Sequence, residues 1–149
     1  MTYTYKQLSP ADMPTLKQLL RVFGEAFNDL HTYQSAVPGD GYLESLLANE
    51  SFIVLVAVAD DSVVGGLAAY VLEKFEQERR EVYIYDLAVS KQHRRKGIAT
   101  RLINDLRQIA RERGAYVIYV QADRTDDAAI KLYESLGIEE EVFHFDIKP

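Results

Sequence analysis

Residues 83–100 read Tyr83-Ile84-Tyr85-Asp86-Leu87-Ala88-Val89, then Ser90-Lys91-Gln92-His93-Arg94-Arg95-Lys96-Gly97-Ile98-Ala99-Thr100, and their reading decides the fold. The first seven are mostly aromatic and β-branched, which predicts a strand. After the basic turn, Ile98, Leu102, Ile103, Leu106, Ile109 and Ala110 recur at three- and four-residue steps, which predicts one apolar face of a helix. Gly114 ends it, with Arg111 and Arg113 in the last turn. The unit is strand, basic turn, helix. A helix N-terminus offers unpaired backbone N–H groups and partial positive charge. Gly97 lets an anion approach the backbone, and Lys91, His93, Arg94, Arg95 and Lys96 add charge there. Two readings stand: a solvated junction, or a phosphate cradle. The glycine frames of the Walker A loop and the dinucleotide fingerprint are both absent.

The rest of the chain sets the bounds. Its 149 residues suit one domain, residues 1–149, with a real core. Hydrophobic residues make up 48% and charged residues 27%, which is a globular balance. There is no cysteine, so disulfides, thiolate metal sites and a cysteine nucleophile are excluded. The three histidines lack metal-ligand spacing, so no metal is expected. Neither a signal peptide nor a membrane-spanning run is read, which predicts a soluble, cytoplasmic protein without a membrane partner. A net charge of −6 argues against a nucleic-acid partner and is compatible with a cationic one.

Taken in order, a strand is predicted over residues 2–8 and a helix from Asp12 with Leu16, Leu19, Leu20, Phe23 and Phe27 on one face. Asn28–Gly41, which contains Tyr33, reads as a long loop, either functional or a plain connection. A short helix follows over 42–49. A fully apolar strand over 52–59 and a second over 63–72 form a hairpin. Glu73–Arg80 reads as an exposed charged connection. After the long helix come a strand over 116–121, a short helix over 128–136, and a last strand over Val142–Ile147. The order β-α-α-β-β-β-α-β-α-β predicts an α/β fold: a mixed sheet with helices on its faces.

Asp86 stands out within its strand, because a buried carboxylate without a partner is costly. It is either an aspartate at a bulge bonded to backbone, or a carboxylate that binds a substrate ammonium and takes its proton. Tyr133, at helical spacing, is either a core residue or a proton donor.

Arg94-x-x-Gly97-x-Ala99 after Leu87-Ala88-Val89 resembles the acyl-CoA signature of the GNAT N-acetyltransferases. The segment from Asp126 through Ala129, Tyr133 and Gly137 resembles the family's second recurrent motif, with Asp126 where Asn is usual. The resemblance covers nearly the whole chain. It implies a mostly antiparallel sheet splayed at the central strand, and acetyl-CoA as co-substrate. It implies that Arg94, Arg95, Lys96, Gly97, Ile98, Ala99 and Thr100 hold the pyrophosphate, and that the Leu87, Ala88 and Val89 backbone holds the pantetheine arm. Asp126 and Ala129 then stand beside that arm, and Tyr133 stands near the sulfur as the acid. The segments at 67–72, 74–77, 83–89, 93–95, 114–123 and 144–147 further resemble the class I aminoglycoside 3-N-acetyltransferases, gentamicin-acetylating antibiotic-resistance enzymes. That resemblance implies direct attack of the amine on the thioester, with Asp86 facing the substrate amine. It implies a polycationic aminoglycoside substrate and a homodimer. Tyr33 and Asp123 are then expected at the substrate, with Asp29, Asp40 and Glu139–Glu141 as further acids that could attract it. Another cationic amine, such as a polyamine or a peptide lysine, and a non-catalytic acetyl-CoA-binding module are the alternatives.

Overall fold

The computed structural model describes residues 1–149. Five strands form one sheet in sequence order: β1 (Thr4–Gln7), β2 (Phe52–Ala59), β3 (Ser62–Lys74), β4 (Arg79–Val89) and β5 (Ala115–Val120). The first four pair antiparallel, and β5 lies parallel to β4. The helices are α1 (Met13–Ala26), α2 (Leu30–Gln34), α3 (Asp40–Ala48), α4 (Ile98–Glu112) and α5 (Asp127–Leu136). The fold is therefore the expected α/β arrangement, a mixed and mostly antiparallel sheet between helices.

Each face of the sheet carries its own core. The alternation of β2 sends Ile53, Leu55 and Ala57 to one side and Val54 and Val56 to the other. On the first side lies α4, burying Ile98, Leu102, Ile103, Leu106 and Ala110 as its periodicity dictates, with Leu132, Tyr133 and Leu136 of α5 against the same cluster. On the second side, α1 buries Leu16, Leu19, Val22 and Phe23, and α3 buries Leu43 and Leu47. No buried side-chain polar atom lacks a partner.

Two features of β4 position everything that follows. Its ladder with β3 pairs Asp86 with Ala68 but Ile84 with Ala69, so Tyr85 is an extra, bulged residue. Val82 and Ile84 face the α4 core, whereas Ala88 faces the α1 core, and Asp86 shares the side of Ala88. Its ladder with β5 ends at Ile84 and Val120, so residues 85–89 are paired on the β3 side alone. The sheet parts at the central strand, as the resemblance implied.

Three expectations need correction. Val142–Ile147 forms no strand; the chain after Leu136 has no regular structure and is exposed. The loop at 28–41 contains α2, whose first turn is closed by the Asp29 carboxylate accepting from the Thr32 N–H at 3.1 Å. The charged run at 73–80 belongs mostly to the β3–β4 hairpin, with Glu73 opposite Arg80 and Lys74 opposite Arg79.

Candidate active site

The bulge at Tyr85 turns the Asp86 carboxylate onto the α1 face of the sheet, where α2 meets it. Gly24 in α1 makes that approach possible: a Cβ there would stand 3.1 Å from Leu30 Cδ2 and 3.2 Å from Tyr33 Cβ. The Tyr33 ring packs among Phe23 and Phe27, with centroids 6.0 and 5.7 Å away. Held so, its hydroxyl donates to Asp86 Oδ1 at 2.6 Å. That is a short, charge-assisted bond between residues 53 positions apart. Burial raises the Asp86 pKa above the ordinary carboxylate range, and the Tyr33 bond pulls against it. The Tyr33 phenol is itself raised, first by burial and then by the Asp86 bond, so it remains a donor.

Around this pair the same face is lined with aromatic rings. Tyr83 stacks on Tyr119 across β4 and β5 at 4.6 Å, and Tyr85 lies 5.6 Å from Tyr83 and 6.2 Å from Tyr70. Sequence reading named none of Tyr70, Tyr83, Tyr85 and Tyr119 as site residues. The signal lies in register: Tyr70 opposite Tyr83, and Tyr83 beside Tyr119, are visible only once the strands are paired. The other acids differ in placement. Asp29 is spent as the cap of α2, and Asp40 pairs with Lys17 at 2.6 Å. Asp123 is exposed in the β5–α5 loop and Glu139–Glu141 in the C-terminal segment, with no bond to Asp86. Tyr33 and Asp86 are therefore brought together, and Asp123 is not bonded to them.

The opposite face carries the second half. Gly97 sits at the N-cap of α4 with φ +77°, a left-handed conformation natural to glycine, and Arg95 is left-handed too at φ +61°. No side chain caps this helix, and the space where a Gly97 Cβ would lie is open. The leading N–H groups of α4 thus face an uncrowded approach. Arg94, Arg95, Lys96 and Gly97 are exposed there, with Ala99 and Thr100 in the first turn. Arg94 Nε donates to the Val89 carbonyl at 3.0 Å, tying the turn to the end of β4. His93 Nδ1 lies 3.0 Å from the Tyr3 hydroxyl, which fixes the turn from the other end. The turn's chemistry fits an anionic phosphate group, and the unpaired side of Leu87–Val89 fits an extended, amide-bearing chain.

Tyr133 lies on the same face, half-buried against the α4 core, with its phenol pushed up to about 12 by burial and then by Asp126. It stays neutral at physiological pH and can donate a proton in a hydrogen bond. Asp126 caps α5, its Oδ1 accepting from the Ala129 N–H at 3.1 Å. No group of three or more His, Cys, Asp or Glu could hold a metal ion. No helix is long and apolar enough to cross a membrane. The two half-sites lie on opposite faces of the sheet, and the gap where β4 and β5 part joins them.

Known proteins share this fold. The chain is 53% identical to a crystallised aminoglycoside acetyltransferase, HMB0005, from an uncultured soil metagenomic sample. The two superpose with a TM-score of 0.98 over 100% of this chain and 99% of that one. A second, meta-AAC0020 from the same kind of source and crystallised with sisomicin, is 36% identical, with a TM-score of 0.90 over 99% of this chain and 96% of that one. Among curated sequences, the probable N-acetyltransferase camello of Xenopus laevis is 30% identical over 112 residues, which is 73% of this chain and 50% of that protein. The rat N-acetyltransferase 8B is 29% identical over 96 residues, 64% of this chain and 43% of that protein. The chain thus spans about half the length, or less, of these curated relatives. The profile of the acetyltransferase (GNAT) family matches residues 15–138, and with its splayed sheet and glycine-led α4 the chain belongs to that family, whose members use acetyl-CoA as co-substrate.

Proposed function

We propose that this protein transfers an acetyl group from acetyl-CoA to the 3-amino group of aminoglycoside antibiotics of the gentamicin type, as a cytoplasmic homodimer conferring antibiotic resistance. The observation that carries the reading is Asp86: a half-buried carboxylate, turned by a bulge onto an aromatic face and bonded by Tyr33, beside the gap in the sheet. A carboxylate held there gains an ionic partner when an ammonium group enters. Its raised pKa also makes it a stronger base toward that ammonium than an exposed carboxylate would be. The faces of Tyr70, Tyr83, Tyr85 and Tyr119 suit cationic amines and the apolar faces of sugar rings.

Acetyl-CoA would supply an acetyl group already activated as a thioester. Arg94–Thr100 and the N-terminus of α4 hold its pyrophosphate, and the free side of Leu87, Ala88 and Val89 holds the pantetheine arm. A main-chain N–H on that strand polarises the thioester carbonyl. Asp126 holds the first turn of α5, with Ala129, and so sets where Tyr133 stands. Tyr133 donates a hydrogen bond to the departing sulfur. Asp86 aligns the amine and accepts its proton, Tyr33 keeps Asp86 in place, and Asp123 borders the substrate from the β5–α5 loop. The amine attacks directly, since the chain has no cysteine to carry the acetyl group. Two relatives matched over nearly the whole chain, both aminoglycoside acetyltransferases, support the substrate class.

The test is CoA release with gentamicin, kanamycin and spermidine as acceptors, followed by NMR of the product to locate the acetyl group. Acetylation at the 3-amino group, lost in Asp86→Asn with folding intact, is the expected result. Acetylation elsewhere on the drug would refute the position. Turnover of spermidine alone would refute the substrate class.

A further inference from the structure

The side of β4 that presents Asp86 also presents Tyr83 and Glu81, because Val82 and Ile84 between them face the α4 core. The neighbouring strand gives the scale. Asp86 lies opposite Ala68 and Glu81 opposite Leu72, so the two carboxylates stand four residues apart along β3, about 13 Å between backbones. Tyr83 and Tyr119 lie between them, their rings only 6° from parallel. The Tyr83 hydroxyl donates to Gln121 Oε1 at 2.9 Å, which fixes the pair. The strip is open to solvent: Tyr70, Leu72, Tyr85, Val117 and Tyr119 are all exposed along it.

Glu81 takes no part in the chemistry at Asp86. It is partly buried, with Leu72 beside it on β3 and Val117 beside it on β5. The Tyr116 hydroxyl donates to its Oε1 and holds the group in place. No cation pairs with it, since those nearby are committed elsewhere. Arg80 pairs with Glu73 at 3.5 Å, Arg79 with Glu76 at 3.1 Å and Lys74 with Glu76 at 3.9 Å. A partly desolvated carboxylate between apolar neighbours gains when a cation enters. Lys74 and Arg79 lie beyond Glu81 on the same side of the sheet. The strip therefore ends in positive charge, and a polycation lying along it stops at Glu81.

We infer that Glu81 is a second ammonium site for the acceptor: a polycationic sugar lies across the Tyr83–Tyr119 pair with its reacting amine at Asp86 and a remote amine at Glu81. The proposal rests on the amine-acceptor reading above and specifies the shape that is selected. Reaching both acids takes ammonium groups on separate rings. A lone aminocyclitol, with its two amines close together, reaches one acid only.

The probes are gentamicin and 2-deoxystreptamine, its central ring alone. Binding of each to the parent and to Glu81→Gln is measured by calorimetry with CoA present, beside CoA release from acetyl-CoA. The amide keeps the oxygen that Tyr116 bonds, and thermal melts check that the fold is retained. Glu81→Gln is expected to weaken gentamicin binding about tenfold, and to act on KM more than on kcat. Gentamicin binding should also depend less steeply on salt, because one charge contact is gone. 2-Deoxystreptamine, too short to span the strip, is expected to bind parent and variant alike. Tyr116→Phe loosens the carboxylate but leaves its charge, so it should cost gentamicin less than Glu81→Gln does. Equal losses for both probes, an unchanged salt dependence, or a loss in Tyr116→Phe as large as in Glu81→Gln would overturn the proposal. So would absence of gentamicin binding to the parent. Binding that depends on Glu81 without any CoA release would uphold this site and refute acetyl transfer instead.

Discussion

Replacing Tyr33 by Phe removes one oxygen and leaves the ring among Phe23 and Phe27. What is lost is the 2.6 Å bond to Asp86 Oδ1. A hydrogen bond to a charged group contributes about 1.5–3 kcal/mol. In a chain of this size each kcal/mol corresponds to roughly 2–4 °C in Tm, so melting should fall by about 3–12 °C at neutral pH. The bond favours the ionised carboxylate, so the stability difference is full at neutral pH. It shrinks as pH falls and Asp86 is protonated in both proteins. The same energy appears in activity. Without its donor Asp86 holds a proton more tightly, and the acid limb of kcat/KM moves to higher pH. On that limb the variant should run about 10- to 100-fold below the parent, since about 1.4 kcal/mol is tenfold, and the gap should close on the alkaline side. The assay is CoA release across pH with the acceptor below its KM, beside thermal melts in the same buffers. A loss of rate that is the same at every pH, or an acid limb that does not move, would refute the assignment of Asp86 as the titrating base.

Further outcomes follow from the same geometry. Asp86→Asn should lower kcat/KM by about 10²–10⁴-fold, the usual contribution of a general base. It should also melt higher than the parent near neutral pH, because burial raises the Asp86 pKa. The native state then binds more protons than the unfolded one above the ordinary carboxylate pKa, so the parent loses stability as pH rises through that window and the variant does not. Tyr133→Phe should lower kcat by about tenfold or more with little change in acceptor KM. Ultraviolet titration of the parent should show one phenol that the variant lacks, titrating near 12. Gly97→Ala meets no steric obstacle, only the strain of φ +77°, which costs about 1–3 kcal/mol. It should raise the KM for acetyl-CoA and leave acceptor binding unchanged; equal effects on both substrates would count against the cradle.

What the sequence made legible was periodic or local. The face of α4, the apolar alternation of β2, and the glycine-led basic turn depend on neighbours within a few residues, so pattern and position agree. Tyr33 and Asp86 were each candidates, yet their bond joins residues far apart in the chain and no pattern encodes it. A bulge was one of the two readings of Asp86, but its place at Tyr85 shows only in the ladder with β3, and the carboxylate bonds the Tyr33 hydroxyl. α2 was missed because five residues give no period, although Asp29 stood at its start. Val142–Ile147 has the composition of a strand, but a strand also needs a partner, and this segment pairs with none.

The bulge at Tyr85 has a genetic corollary. Side chains on a strand alternate, so a single extra residue reverses the parity of everything downstream. Loss of one codon here would restore the alternation. Asp86 would still lie opposite Ala68 on the α1 face, directly after Ile84, whereas flattening the bulge with every residue kept would turn Asp86 into the apolar layer beneath α4. The facing of the carboxylate thus depends on which residue the ladder skips as well as on residue identity. An in-frame deletion of Tyr85, whose own ring is largely exposed, should therefore leave the facing of Asp86 intact.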